Sequence, residues 1–221
     1  MDISIAVATG NKHKLQEIAV ILGLSPESIY SSRDFEGFLD PVEDGESFAE
    51  DATIKAKALA QFIQSQHPHH PFLCGPRPKL VISDDSGLEV DALGGRPGIH
   101  SARFASTELG IEGNSPDSSN NEKLLRLLST TDPDKRQSRF VCVIACLPLN
   151  APVMNVQTFH GDCPGRISNK PSGLHGFGYD PLFIPDGYEE SMAELGEHTK
   201  SKISHRSRAL EGFKKYLHSI L

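Results

Sequence analysis

The apolar and polar positions of this 221-residue chain follow two periods, and these predict its helices and strands. Residues 3–8 form a short apolar run that is typical of a buried strand. A spacing of three and four residues then predicts a helix over 12–22, which Gly23 ends. A second helix is predicted from a cap at Ser47 to about Gln64. Its apolar face consists of Phe48, Ala52, Ala56, Leu59 and Ile63.

The middle of the chain is glycine-rich, and its pattern predicts two short strands separated by a turn. A buried strand is expected over 80–82, and Ser86 and Gly87 are expected to form a turn. Strict alternation then predicts a half-buried strand over 88–90. The run 94–98, with three glycines and a proline, predicts a shaped loop.

The second half of the chain contains a continuous apolar run, 140–147, which predicts a central strand covered on both faces. Other predicted elements are a short helix over 122–128 and strands over 153–160 and 182–184, and the stretch 161–170 is punctuated by glycines and a proline. A last helix is predicted after an N-cap at Ser204. Its buried face is expected to contain Leu210, Phe213, Leu217 and Ile220.

The composition is that of an ordinary soluble protein, with 38% hydrophobic and 23% charged residues. A net charge of −7 argues against nucleic-acid binding, which needs a basic face. No apolar run approaches the roughly 20 residues of a membrane span, and the start of the chain lacks a signal-peptide pattern. The four cysteines include no C-x-x-C pair. We therefore expect a cytoplasmic protein with reduced thiols and no membrane partner.

Two adjacent carboxylates, Asp84 and Asp85, are the first candidate for chemistry. Like charges so close together raise each other's pKa unless a cation neutralises them. Mg²⁺ is suited to that task because it binds a few carboxylates together with substrate phosphates. The alternative is that one aspartate caps a turn and the other is solvated. Acidic residues near the second helix either cap it or supply a metal ligand facing Asp85; they include Glu43, Glu46 and Glu50.

Three other segments could bind a nucleotide. Thr9–Asn11 opens the first helix, where backbone N–H groups attract phosphate beside Lys12 and Lys14, although an ordinary turn would have the same sequence. The glycine-rich stretch 173–184 could hold an aromatic ring against a base, or be a hydrophobic turn. The basic run 200–208 precedes a helix, where cations are disfavoured, so it predicts an anionic ligand.

Four segments together resemble the inosine triphosphate pyrophosphatase family, also called the Ham1 or RdgB family. They are TGNKHK at 9–14, SDDSGLEVDALGGRPGIHSARF at 83–104, GFGYDPLF at 176–183 and KSKISHR at 200–206. The resemblance implies one domain over 1–221 with a two-lobed mixed α/β fold, an elongated mixed sheet and a central substrate cleft. It also implies a homodimer. The implied activity is Mg²⁺-dependent hydrolysis of the purine nucleoside triphosphates ITP, dITP and XTP to the monophosphate and pyrophosphate.

The resemblance also assigns roles to residues of this sequence. Asp85 is implied as general base and metal-linked carboxylate, and Glu43 as the second metal ligand, with Asp44, Glu46 and Glu50 as open alternatives. The implied substrate-binding residues are Thr9, Gly10, Asn11, Lys12, His13, Lys14, Ser86, Phe177, Gly178, Tyr179, Asp180, Lys200, His205 and Arg206. Within this set Phe177 is expected to stack on the base, and His205 and Arg206 are expected to read its 6-oxo group.

Two other functions fit parts of the pattern. A phosphatase with an aspartate nucleophile would release orthophosphate, but that chemistry uses Asp-x-Asp, whereas Asp84 and Asp85 are adjacent. A regulator that binds nucleotides without turnover needs neither the acidic pair nor the full basic cluster. The identity of the product separates these possibilities from a pyrophosphatase.

Overall fold

The computed structural model describes residues 3–149 and 155–220 and has a mixed α/β fold, as predicted. The strands are β1 (Ser4–Val7), β2 (Ile29–Ser31), β3 (Lys79–Val90), β4 (Gln137–Pro148), β5 (Gln157–Ile167) and β6 (Phe183–Pro185). They form one six-stranded sheet in the order β2-β1-β3-β4-β5-β6. The sheet is mixed, because β1 pairs in parallel with β2 and β3, whereas β5 pairs antiparallel with β6.

Six α-helices accompany the sheet in the described part of the chain. They are α1 (Lys12–Leu22), α2 (Phe48–Gln66), α3 (Ser106–Leu109), α4 (Asp117–Leu127), α5 (Met192–Ile203) and α6 (His205–Ile220). None of these helices combines the length and the apolar character that crossing a membrane requires. Several short 3-10 turns connect the elements, including Asp91–Leu93 and Gly98–Arg103 in the glycine-rich segment after β3.

The chain divides into two compact units, and the first contains the described residues of 3–85, 142–160 and 209–220. Its strands have a core on each face. Ile5 and Ile82 belong to a core that α1 and α6 cover, whereas Ala6 and Val81 belong to a core that α2 covers. Successive side chains of a strand point to opposite faces, so the register of β3 determines which helices each of its side chains meets.

The second unit contains residues 86–141 and 161–208. Its core is a single cluster of buried side chains, among them Leu88, Val90, Phe104, Leu124, Phe140, Ile167, Leu182 and Phe183. Phe140 and Phe183 pack edge to face, with ring centroids 4.6 Å apart. Three features stay predictions: the two-lobed shape, the central substrate cleft and the single domain over 1–221.

The predicted turn at Ser86 and Gly87 is wrong, because β3 runs without a break from Lys79 to Val90. Its neighbours β1 and β4 are hydrogen-bonded to it on either side. Aspartate, serine and glycine have low strand propensity, but strand propensity depends strongly on context. Here the pairing with β1 and β4 outweighs it. As a result Asp84 and Asp85 lie inside a buried strand.

The prediction that the basic run 200–208 lies where a helix disfavours cations is wrong for its first residues. Lys200 and Lys202 lie in the last turn of α5, where the helix dipole favours cations, and α5 was not predicted. Ser204 does cap α6, since its Oγ accepts the N–H of Ser207 at 3.2 Å. Ile220 is 45% exposed at the end of α6, contrary to the predicted buried face.

The ends of the other helices and strands match the predictions in some cases and differ in others. Helix α1 has the predicted bounds, because Asn11 caps its start and Gly23 adopts the left-handed conformation at its end. Helix α2 runs two residues further than expected, and its five predicted apolar residues are all buried. Helix α4 starts five residues early at Asp117, and β5 continues beyond the predicted end at 160 to Ile167, through the stretch with glycines and a proline. The predicted turn near 150 and the first residues of the strand after it lie outside the described residues.

Position 165 in β5 requires glycine, because the backbone there passes very close to the neighbouring strand β6. A Cβ added there would collide with the backbone oxygen of Ile184 and lie 2.7 Å from the ring of Phe183. We expect Gly165→Ala to destabilise the protein by about 1–3 kcal/mol, because a packed backbone cannot yield to the added methyl. Urea unfolding followed by circular dichroism measures this change.

Gly212 supplies the matched control, since it lies inside α6 and a Cβ there meets Phe159 at an ordinary 3.5 Å. Gly212→Ala should leave stability unchanged or raise it by up to about 1 kcal/mol, because alanine favours helix. Equal stability of the two variants would show that β5 and β6 are not packed as described.

Candidate active site

Asp84 and Asp85 point to opposite faces of β3, and each meets its own lysine. Lys14 of α1 lies 2.6 Å from Asp84 Oδ1, and Cys142 Sγ donates to Asp84 Oδ2 at 3.2 Å. Lys55 of α2 donates to Asp85 Oδ1 at 2.6 Å. Both carboxylates are almost fully buried. The alternative, in which one aspartate of the pair is solvated, is therefore wrong.

Opposing effects act on the protonation of Asp85. Burial raises the pKa of the Asp85 carboxyl to about 6, although the charges of Lys55 and Lys14 act to lower it. Burial acts to lower the pKa of Lys55, but the charges of Asp85 and Glu43 outweigh it and raise that pKa above its usual value. At neutral pH Asp85 is therefore mostly ionised, with a basicity close to the optimum for a general base.

A cluster of carboxylates surrounds Lys55 in the first unit. Glu43 Oε2 lies 3.5 Å from Lys55 Nζ. One oxygen from each of Glu43, Asp51 and Asp85 lies within 4.8 Å of the other two. Among the described residues, this is the one group of potential metal ligands from histidine, cysteine or acidic side chains. An all-carboxylate set of oxygen donors is what a hard cation such as Mg²⁺ prefers.

The other acidic residues near α2 do not join this cluster. Glu50 Oε2 accepts the N–H of Glu46 at 2.7 Å, and Ser47 Oγ accepts the N–H of Glu50. These contacts stabilise the start of α2, where negative charge is favourable. Of the four acids considered from the sequence, the structure thus brings Glu43 to Asp85, and not Asp44, Glu46 or Glu50.

The segment before α1 is stabilised by its own side chains. Asn11 Oδ1 accepts the N–H groups of His13 and Lys14, and Thr9 Oγ1 accepts the N–H of Asn11. Gly10 approaches Arg33, since an added Cβ would lie 3.1 Å from Arg33 Nε. Within this segment Lys12 and His13 are exposed. Lys14, a predicted phosphate ligand, lies beside Asp84 of strand β3.

A second group of candidate residues lies in the second unit, around the loop 176–180. Asp180 Oδ2 accepts the N–H of Phe177 at 2.9 Å and the ammonium of Lys200 at 2.6 Å. The side chains of Asp180 and Lys200 are 3% and 5% exposed. Lys200 Nζ lies 4.4 Å from the centroid of the Phe177 ring, a cation–π contact. One buried ion pair therefore fixes both the backbone and the ring of Phe177.

Contacts from neighbouring elements hold the next two residues of this loop. Gly178 has a φ of 61°; its N–H donates to Asp117 Oδ2 at 2.7 Å and its carbonyl accepts from Asn121. Tyr179 is buried and its hydroxyl donates to the carbonyl of Ser101 at 2.9 Å. Burial raises the pKa of Tyr179. The tyrosine ring thus supports the loop from inside the protein.

His205 and Arg206 open α6, and both are buried. The His205 ring stacks on Phe140, with centroids 4.8 Å apart and planes 16° from parallel. Arg206 Nη2 donates to Ser86 Oγ at 3.1 Å, and its guanidinium carbon lies 6.0 Å from the Phe177 centroid. Three predicted substrate ligands, Ser86, Phe177 and Arg206, therefore lie near one another in the second unit.

Comparison with known proteins identifies the family. The model of the Ham1 family matches residues 5–216. The chain belongs to the Ham1 family. It is 42% identical to a dITP/XTP pyrophosphatase of Halalkalibacterium halodurans over 96% of this chain and 97% of that protein.

Solved structures of the Ham1 family agree with this assignment. The Ham1 protein of Staphylococcus aureus is 34% identical, with a TM-score of 0.77, over 99% of this chain and all of that one. A HAM1 protein from Coxiella burnetii is 32% identical, with a TM-score of 0.78, over 98% of this chain and 99% of that one. The likeness extends over both compact units.

Two residues that the sequence analysis passed over lie at the centre of the acidic cluster of this Ham1 protein. They are Lys55 and Asp51, which are 8% and 0% exposed. Both fall on the apolar face of α2, since Asp51 follows Phe48 by three residues and Lys55 precedes Leu59 by four. Charged residues on a buried helical face need partners, and this was the signal that could have identified them.

The buried pair of Lys200 and Asp180 yields a stability prediction. Lys200→Met keeps the length of the side chain but leaves the Asp180 carboxylate buried without its ammonium. We expect a loss of about 3–5 kcal/mol in the free energy of unfolding, measured by urea titration.

Lys202→Met is the control, because Lys202 is exposed two residues further along α5. It should change stability by less than about 0.5 kcal/mol. Asp180→Asn combined with Lys200→Met should recover part of the loss. A single Lys200→Met variant as stable as the wild type would mean that the pair is solvated.

Proposed function

We propose that this protein hydrolyses the non-canonical purine nucleoside triphosphates ITP, dITP and XTP to the nucleoside monophosphate and pyrophosphate. The observation that carries the proposal is the environment of Asp85. This carboxylate is buried, has a raised pKa, and pairs with a lysine that also contacts a second carboxylate, that of Glu43. Perturbed groups of this kind are typical of catalytic sites. The dITP/XTP pyrophosphatases among the relatives support the same reaction.

In the proposed reaction Asp85 acts as general base. A water molecule attacks the α-phosphorus, Asp85 takes its proton, and the bond between the α-phosphorus and the bridging oxygen breaks. That oxygen and its electron pair leave with pyrophosphate. Lys55 keeps Asp85 ionised before the reaction, and Lys14 supplies positive charge near the phosphates, together with the segment Thr9–Lys14.

The donor set around Lys55 fits Mg²⁺, and we assign Glu43 and Asp85 as the residues that hold it. All the potential ligands are carboxylate oxygens, which a hard cation prefers over nitrogen or sulfur. When bound, Mg²⁺ neutralises phosphate charge and helps to orient the triphosphate. The acidic cluster would otherwise repel a substrate of the same sign.

The second group of residues is proposed to recognise the base. Phe177 offers a ring for stacking, and Asp180 and Lys200 hold that ring in place. His205 and Arg206 are donors that suit a 6-oxo acceptor and oppose the amino group of adenine. A mismatch of this kind leaves buried polar groups unpaired and can reject a substrate by roughly 10⁴-fold. Gly178 and Tyr179 shape the loop, and Ser86 contacts the substrate. A homodimer stays a prediction from the family resemblance, and a cytoplasmic location stays a prediction from the composition and the cysteine pattern.

Product analysis tests the reaction. With Mg²⁺, the wild-type protein should release pyrophosphate from ITP, dITP and XTP and little from GTP or ATP. Asp85→Asn should lower kcat by about 10²- to 10⁴-fold, because it removes the proton acceptor while keeping the shape of the side chain. Separate assays for pyrophosphate and orthophosphate on each nucleotide make the measurement.

Asp40→Asn is the control for this experiment, because Asp40 is exposed and undergoes the same chemical change. Its activity should equal that of the wild type, and Asp85→Asn should still bind ITP. Orthophosphate as the product would mean a phosphatase, and binding without any product would mean a regulator. Full activity of Asp85→Asn would remove Asp85 from the role of base.

Stacking on Phe177 is tested by kinetics with two ligands. Phe177→Leu should raise KM for ITP by about tenfold or more, since stacking of a base on an aromatic ring contributes about 1–3 kcal/mol. Inhibition by tripolyphosphate, which has no base, should keep its wild-type inhibition constant. Equal weakening of both ligands would instead place Phe177 beside the phosphates.

A further inference from the structure

Asp51 in the first turn of α2 has an unusual environment for a carboxylate. Its side chain is 0% exposed. One oxygen, Oδ1, accepts the N–H of Gly45 at 2.9 Å. The other, Oδ2, is fully buried and has no hydrogen-bond partner within the described ranges 3–149 and 155–220. Buried polar atoms are almost always satisfied, so an orphaned carboxylate oxygen needs a physical explanation.

The segment before α2 holds Asp51 in position. A Cβ added to Gly45 would lie 2.7 Å from Asp51 Oδ1 and 2.8 Å from Cβ of Glu50, so a glycine permits this approach. The bond from Gly45 satisfies Oδ1 and fixes the side chain. An asparagine could accept the same bond through its amide oxygen, so this structural contact does not require a charge on Asp51.

The neighbours of Asp51 point to a cation as the missing partner. One of its oxygens lies within 4.8 Å of oxygens from Glu43 and Asp85. Lys55 is the cation in the cluster, and its ion pairs are with Asp85 and Glu43. Three carboxylates against one ammonium leave two negative charges uncompensated, which is the charge of a divalent ion. Buried charges require such compensation.

We propose that Asp51 is a third direct ligand of the divalent metal ion, beside Glu43 and Asp85. The inference rests on the proposed function, because it concerns the same metal site. It adds a ligand from α2, a regular helix, to one from the segment before that helix and one from strand β3. Adding a carboxylate raises both the affinity of an oxygen site and its preference for divalent over monovalent cations.

Binding of Mn²⁺ in the absence of nucleotide tests this proposal. Mn²⁺ prefers the same oxygen ligands as Mg²⁺, and electron paramagnetic resonance counts the free ion directly. Asp51→Asn keeps the acceptor for Gly45 but removes the anionic oxygen. We expect it to weaken Mn²⁺ binding at least tenfold and to reduce the rise in Tm that Mg²⁺ produces. Asp40→Asn, the same change at an exposed site, should bind Mn²⁺ like the wild type.

Each outcome bears on the proposal. An affinity of Asp51→Asn within twofold of the wild type would overturn it, whatever the activity. If Asp51→Asn does not fold, Asp51→Ser gives the same test with a smaller neutral side chain. Pyrophosphate release by the wild type together with unchanged Mn²⁺ binding in the variant would reject Asp51 but keep the proposed function. Loss of Mn²⁺ binding in the variant together with no hydrolysis by the wild type would keep the metal site and reject the function.

Discussion

Two consecutive carboxylates inside a buried strand are the constraint on which much of the first unit depends. Neighbouring side chains of a strand point to opposite faces, so one lysine cannot form a direct ion pair with both Asp84 and Asp85. The protein uses a lysine from α1 on one face and a lysine from α2 on the other. Both helices must therefore pack on β3 in a fixed register, and the alternation that separates the two apolar cores also separates the two ion pairs.

A gain in folding stability does not explain why the protein has these buried ion pairs. The cost of removing a carboxylate and an ammonium from water is comparable to the energy of their attraction, so apolar replacements often do as well or better. The second unit repeats the arrangement with Asp180 and Lys200, and there the carboxylate also fixes the backbone of Phe177. In both units an aspartate and a lysine are thus used to position other groups. That use is what a site that binds a charged substrate requires, and it agrees with membership of the Ham1 family.

The sequence predicted the parts of this protein that depend on local patterns. Helices α1 and α2 have clear caps and regular apolar spacing, and strand β4 has a continuous apolar run, so their positions were foreseen. The continuity of β3 was missed because residues 83–87 are polar or small, and their extended conformation comes from pairing with strands distant in sequence. Of the site, the motifs indicated Asp85, Asp180 and Lys200, but not Lys55 and Asp51, which lie beside Asp85. Such partners are determined by tertiary packing, and only the placement of Lys55 and Asp51 on an apolar helical face hinted at them.

Lys55 shows how closely stability and chemistry are balanced in this cluster. Without its charge, burial would shift Asp85 further toward the protonated form, which cannot act as a base. A stronger pairing would lower the pKa of Asp85 until it became a poor proton acceptor. The lysine must also hold Glu43, so its single charge is divided between two carboxylates while Asp51 remains uncompensated. The arrangement thus keeps Asp85 ionised but basic and leaves the cluster with an excess of negative charge, the combination that a site for both a divalent cation and an attacking water needs.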